Sequence, residues 1–597
     1  MKMVSRSPLV LGTASLILAS ATLYGCKDFL TDASQPQGVL NAQTLANRAG
    51  VEGTLIAAYR TLDCTDSVGA WGCAASNWVW GSVASDDSYK GSNATDQPPI
   101  NDIEAYHWGT PDADSYLQQK WVIVYEGISR ANSALRLLHE TVAARPSELS
   151  AADAASIEGE ALFLRAHYHF EAYRMWGNIP YYRETDTDFR KANIAAADVV
   201  TELVKDLDAA IAKLPINPRN GQKGRSSQWT AKAYKGRVQM YAGQYAAALA
   251  TLRDVQANGP YALESSFDKV WTGFKDQENG KETIWAYQAS ANDGEPNGNN
   301  ANFGERLNFP YSASHFGCCG FNQPSQNLVN FYQVDANGLP LSLSNPNWNA
   351  SDADFKAGNM QPVDPRLDFT VGRDAVPYKD WGLYDGPGGW VRDPGNGGFY
   401  SPKKNAHEKA SGAESTVGWQ PTQLNSVNMH LFRYADMLLM LAEAEVEAGS
   451  VANAFTIVNQ NRARAGVTAQ GTGVDRAHIA VPLNDPSITW ATYLIGPYPS
   501  FPSQAYARDA VRNERRLELA MEGQRFFDLR RWGIAVAGTA LNGYVNGVGG
   551  GAEKARRLYK ANAEAIAARH QWFPIPSLEV ELSKVGGTPM LKQNTGW

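Results

Sequence analysis

The 597-residue chain has few of the side chains that usually carry metal or redox chemistry, with five cysteines and nine histidines. It has no paired CxxC units with histidines nearby, so the spacing argues against a zinc site and no metal is expected. His167 and His169 fall on different faces of one helical stretch, which rules them out as a joint ligand pair. A strong excess of positive charge is missing as well. Charged residues make up 19% of the chain and the formal net charge is −7, so nothing favours a nucleic-acid partner. The glycine-rich run GYVNGVGGGAEKA (543–555) lacks GxxxxGK[ST] and follows no expected strand, which excludes a phosphate loop, and no cofactor is expected. Apolar runs of membrane-spanning length are missing too. The longest, Leu9 to Leu23, is too short and too interrupted to cross a bilayer well.

That run carries other information. Lys2 and Arg6 precede it and it ends in LYGC (23–26), the pattern of a secretory signal. A cysteine directly after the cut resembles a bacterial lipobox. The expectation is a signal peptide over 1–25, a lipid anchor on Cys26 that holds the chain to a bilayer surface, and a tether over 26–50. Lys27 follows the cysteine, with no Asp there to suggest retention in the inner membrane. Cys64, Cys73, Cys318 and Cys319 remain, and in an exported chain they are disulfide candidates with three possible pairings. Cys64 with Cys73 would close a short loop. Cys318 with Cys319 would make a tight ring, because neighbouring Cα atoms are only about 3.8 Å apart across a trans peptide. Alternatively, either of that pair could tie its loop to Cys64 or Cys73.

Aromatics are present in quantity, with 17 Trp and 26 Tyr, and Gly and Asn cluster in long loops. Such a composition suits a binder of sugars or other flat-faced polar ligands. Helical periodicity runs through 40–62, 121–139 and 151–176, the last apolar on several faces and therefore sandwiched between neighbours. Two helix pairs share a rhythm: Gly236 and Ala248 flank a turn at Gly243, and Ala442 and Ala454 flank one at Gly449. Small residues so placed let antiparallel helices approach closely, in the manner of tetratricopeptide repeats. The expected fold is all-α, a tetratricopeptide-like scaffold with long irregular loops. An N-terminal helical region is expected over 51–265, and a C-terminal region with long loops and closing helices over 266–597.

ERRLELAMEGQRFFDLRRWG (514–533) combines Glu514, Glu518, Glu522 and Asp528 with five arginines. The three glutamates stack at i, i+4, i+8 and repel one another, so they need cations from elsewhere. Arg515 and Arg525 are within helical reach, and Arg433, Arg462 and Arg464 are candidates across a packed interface. An enzyme would want two acids of separated pKa beside an open cleft. Nothing distinguishes one of these acids, and the stretch reads as scaffold.

This stretch, with RYADMLLMLAEAE (433–445), NQNRARAG (459–466), GEALFLRAHYHFEAYRMWGNIPYY (159–182), DPRLDFTV (364–371), WFPIPSLEV (572–580), LKQNTGW (591–597) and CKDFL at 26–30, resembles the SusD/RagB family of nutrient-binding outer-membrane lipoproteins. The resemblance implies a helical scaffold with ligand contacts on irregular loops, a SusC-like TonB-dependent transporter as partner, and a place on the outer membrane of a Gram-negative bacterium facing the exterior. It also implies a glycan or, in some members, a peptide as ligand, and no catalytic residues. Ligand residues differ between members, so the candidates come from stacking chemistry. Trp71, Trp78, Trp80, Asp86, Asp87 and Trp108 lie in the first loop region. Phe316, Phe321, Trp381, Tyr384 and Trp390 lie in the middle loops, where the GCCG turn would form an apolar platform. Two other classes fit less well, a glycoside hydrolase and a helical-repeat assembly protein of the outer membrane.

Overall fold

The computed structural model describes residues 42–64, 71–352, 359–467 and 490–597. The signal peptide, Cys26 and most of the tether lie outside them. No helix among the described residues is long and apolar enough to cross a membrane.

The scaffold is a run of antiparallel helices, each packed on the next. Helix α1 (Arg48–Arg60) is capped by Asn47, whose side chain accepts from Gly50 N. It packs on α2 (Pro111–Ala144), which starts with a Thr110 cap and Pro111 in its first turn. Helix α3 (Ala151–Trp176) follows, capped by Ser150, and everything from Gly159 to Trp176 on it is buried. Its aromatics face several ways because α2 and α4 (Ala196–Lys213) cover it on two sides. Then come α5 (Gln228–Tyr241) and α6 (Tyr245–Asn258). Next in space, though far on in sequence, is α7 (Tyr434–Ala448), which packs on α6, on α8 (Val451–Ala465) and on α9 (Gln504–Leu519). The two helix pairs expected from their small residues therefore exist and stack on each other. At Gly236 a Cβ would come 2.3 Å from Leu252 Cδ2, and Ala248, Ala442 and Ala454 are fully buried, so the small residues set the helix spacing.

Strands are few, short and paired two by two among the described residues. Antiparallel β1 (Ser88–Gly91) with β3 (Phe321–Pro324), and β2 (Thr283–Tyr287) with β4 (Met429–Arg433), stitch the loop region to the helices. One apolar core runs from Ala46 to Leu591, across the midpoint of the chain. A smaller aromatic core of Phe309, Phe316, Tyr378 and Tyr384 sits under the middle loops.

The charged stretch spans α9 and α10 (Arg525–Arg531) and is buried. Arg366 bonds Asp364 (2.8 Å), Glu514 (2.6 Å) and Glu518 (2.9 Å). Arg433 bonds Glu282 (2.7 Å), Glu518 (2.7 Å) and Glu522 (2.8 Å). Arg462 reaches Glu514, Arg464 reaches Glu282 and Glu518, and Lys404 reaches Glu522. Five carboxylates thus meet five cations. Arg433, Arg462 and Arg464 do act across the packing as expected. Arg515 and Arg525 do not serve Glu518 and Glu522. Arg515 turns to Asp436 and Asp528, and Arg525 turns to Asp86, the latter because after Leu519 the chain leaves helical geometry and Met521 takes a positive φ of 65°, which ends the helical relation of Glu522 and Arg525. Burial works against ionisation of Glu518, but Arg464, Arg433 and Arg366 outweigh it and hold its carboxyl well below the usual range.

Candidate functional site

The first loop region folds inward. Trp78, Trp80 and Trp108 are fully buried, and each indole N–H is taken by a backbone carbonyl, of Gly304 (3.0 Å), Gly72 (2.6 Å) and Ile103 (3.1 Å). Trp108 is enclosed by Phe526, Phe573, His570 and Trp597. These tryptophans are core residues with no face open to a ligand. Asp86 and Asp87 are corrected in the same way. Asp86 binds Arg525 (2.7 Å) and Arg516 (3.1 Å), and Asp87 binds Arg516 (2.9 Å). Burial opposes the charge on Asp86, but Arg516 and Arg525 hold its carboxyl down to about 2. The two aspartates are counter-ions that clamp the first loop to α9 and α10. Gly81 completes the clamp, since a Cβ there would lie 1.8 Å from the Gly523 carbonyl oxygen.

In the middle loops, Phe316, Phe321 and Tyr384 are likewise buried, each within a core cluster, and offer no open face. Trp381 is half-buried, stacked on His315 at 4.1 Å with its N–H on the His407 carbonyl (2.9 Å). Trp390 is half-buried against Tyr378 and Tyr384. Cys64 pairs with Cys73 at a Cα separation of 5.5 Å, and Cys318 pairs with Cys319, so no disulfide joins the two loops. The GCCG turn leaves Cys318 half-buried, and Gln423 Nε2 donates to its carbonyl. His167 and His169 are both buried, one bonded to Tyr234 Oη and the other stacked on Tyr181.

Trp71 is the one candidate of its region on the surface, and it belongs to a stack that the sequence reading missed. Its ring lies on Phe303 at 5.6 Å and 19°. The Arg306 guanidinium sits 5.5 Å from the Phe303 ring and 3.6 Å from that of Trp419. Arg306 is buried, whereas Trp419 is 64% exposed. A buried cation thus braces one face of an indole whose remaining surface is open to solvent. Trp419 stands in the turn-rich string TVGWQPTQ (416–423), and an aromatic among turn residues is the signal that could have found it.

Beside this stack opens a cleft of about 530 Å3, lined by Ile56, Tyr59, Arg60, Leu62, Gln222–Arg225, Ala286–Gln288, Ser290, Asp293 and Asn300. Its size lies within the roughly 300–1,000 Å3 of small-ligand sites. The 290–300 loop is the shared wall. Arg60 donates to the Asn299 carbonyl, and Asn292 bonds Glu414 O and Thr416 N on the strand of chain that carries Trp419. Asn300 donates to Asp293 (2.9 Å), and that hydrogen bond holds the aspartate carboxyl below its ordinary range. Asp293 is therefore an acceptor at neutral pH. Apolar rings beside amides, a carboxylate and a guanidinium are what a polyhydroxylated ring requires, with stacking for its C–H face and hydrogen bonds for its rim. Among the described residues no group of three or more His, Cys, Asp or Glu is placed to hold a metal ion.

Residues 281–597, more than half of the chain, match the SusD family profile, and residues 68–240 match a profile described as starch-binding associating with outer membrane. A SusD-like protein of Formosa agariphila is 25% identical over 481 residues, covering 79% of this chain and 82% of its own. In structure, the chain is similar to a laminarin binding SusD-like protein, with a TM-score of 0.64 and 22% identity, over 92% of this chain and 100% of that one. It is also similar to surface glycan-binding protein A from Bacteroides thetaiotaomicron in complex with laminarihexaose, with a TM-score of 0.61 and 18% identity, over 92% and 99% of the two chains. The helical scaffold, the buried charge ladder of 514–533 and the profile match agree, and the chain belongs to the SusD family.

Proposed function

We propose that this protein binds a glycan, an oligosaccharide above all, at the outer surface of the outer membrane and passes it to a SusC-like TonB-dependent transporter, without chemical change to the ligand. The lipobox at Cys26 supports the anchoring, and family membership supports the transporter partner. The observation that carries ligand binding is Trp419, open on its outer surface and braced by Arg306, next to a cleft of ligand size. Trp71, Trp381, Trp390 and the Cys318–Cys319 turn stay as secondary contacts, since each keeps some exposed surface.

Calorimetry with laminarihexaose and a panel of other oligosaccharides tests the binding. Trp419→Ala is expected to weaken the bound glycan about ten-fold, the scale of one aromatic stacking contact, with no change in thermal unfolding. Unchanged affinity for every glycan that the parent binds would move the site away from Trp419. Mild affinity purification from outer membranes with mass spectrometry tests delivery. A co-eluting TonB-dependent barrel is the expected result, and a preparation free of any barrel would overturn the transporter role.

A further inference from the structure

A second cavity lies on another side of α2, lined by Trp121, Tyr125, Ile128, Asn132 and Arg136 of that helix, by 180–191 and by 579–591. Its volume is about 220 Å3, below the usual range for drug-sized ligands and suited to one ring with a short side chain. The aromatics form a graded series from inside to outside. Trp121 is 4% exposed and stacks on Tyr125 at 4.5 Å. Tyr125 meets Tyr182 edge-on at 5.9 Å. Tyr182 lies 6.4 Å from Phe189, which is 72% exposed at the mouth.

The polar groups of this cavity are mostly occupied within the protein. Tyr125 Oη donates to the Pro180 carbonyl, Asn132 Nδ2 to the Tyr182 carbonyl, Tyr182 Oη to the Phe189 carbonyl, and Ser583 Oγ to the Val580 carbonyl. A sugar would find few open partners here, and burying hydroxyls without them is costly. The cations differ among themselves. Arg183 pairs with Glu202 and Lys191 with Asp186. Arg136 donates only to the Glu184 carbonyl (3.2 Å) and to Ser133 Oγ (3.0 Å), so its charge meets no carboxylate among the described residues. The one carboxylate of the lining, Glu579, accepts from Gln118 Nε2 and forms no ion pair with Arg136.

We propose that this cavity is a second binding site, separate from the glycan cleft, and that it takes an aromatic carboxylate with its ring against the wall of Tyr125, Tyr182 and Phe189 and its carboxylate on Arg136. The aromatic walls select the ring, and the uncompensated guanidinium selects the anion.

Ligand-observed NMR titration of the full protein with 4-hydroxycinnamate, and with the neutral 4-hydroxycinnamyl alcohol as its partner probe, tests this. The acid is expected to bind at least about ten-fold more tightly than the alcohol, the scale of one charge-assisted hydrogen bond. Arg136→Gln should bring the acid down to the level of the alcohol and leave the alcohol unchanged. Phe189→Ser, at an exposed position, should weaken both without affecting thermal unfolding. Equal affinity of acid and alcohol, no response to Arg136→Gln in a variant that unfolds at the parent temperature, or no binding of either probe would overturn the proposal. Loss through Trp419→Ala would also overturn it, by placing the probe in the glycan site.

Discussion

Glu518 shows how far one side chain can be committed to structure. It is fully buried and answers Arg366, Arg433 and Arg464 together. Glu518→Gln leaves three buried guanidiniums with one carboxylate too few, and a loss of about 3–5 kcal/mol is expected by denaturant unfolding. Its pKa is held low, so its stabilising effect is present above the unfolded value near 4.5 and fades as pH falls below it. The stability gap between parent and Glu518→Gln should therefore narrow toward pH 3. Glu305 behaves in the opposite sense. Burial pushes its carboxyl up to about 7, against hydrogen bonds from Ser76 and Asn308. Between about 4.5 and 7 the folded state keeps a proton that the unfolded chain has lost, so stability falls as pH rises through that window. Glu305→Gln is expected to stabilise the protein at pH 8 by about 3 kcal/mol relative to its effect at pH 5, as read from urea midpoints at the two pH values. No dependence of the difference on pH would mean that Glu305 is already ionised in the fold.

At the scale of elements, the helices were legible and the loops were not. The span of α3 followed from its helical periodicity, and the close packing of α5 on α6 and of α7 on α8 was implicit in four small residues, whereas the stacking of α6 on α7 was decided by the fold. The loop at 64–108 looked like an aromatic surface because its composition matches one. Its tryptophans went to the core because their indole N–H groups found backbone carbonyls eight or more positions away, or closer ones across a turn, and α10 supplied a cover. The Gly81–Gly523 contact is where that cover closes. Gly81→Ala has no room for its methyl and is expected to cost about 1–3 kcal/mol in chemical unfolding, with the Asp86 and Asp87 ion pairs loosened. A neutral result would show that the first loop can lift from α10 without loss.

At the scale of the whole molecule, the apolar core crosses from the N-terminal helices to the closing segment at 573–591, and α6 meets α7 over a long stretch of intervening chain. The two halves are expected to unfold in one calorimetric transition, and two resolved transitions would divide them. The sequence by itself determined the helical class, the paired-helix rhythm and the scaffold role of 514–533, because each rests on local periodicity or on charges that must be neutralised nearby, and it carried the family through the resemblance of its ordered motifs. Which aromatics meet solvent was decided only by the tertiary structure. A tryptophan has the same local pattern whether its ring packs under a helix or stands in water. The choice between Trp108 and Trp419 rests on what lies above each ring: Phe526, Phe573 and Trp597 over the first, and open solvent over the second, with Arg306 beneath.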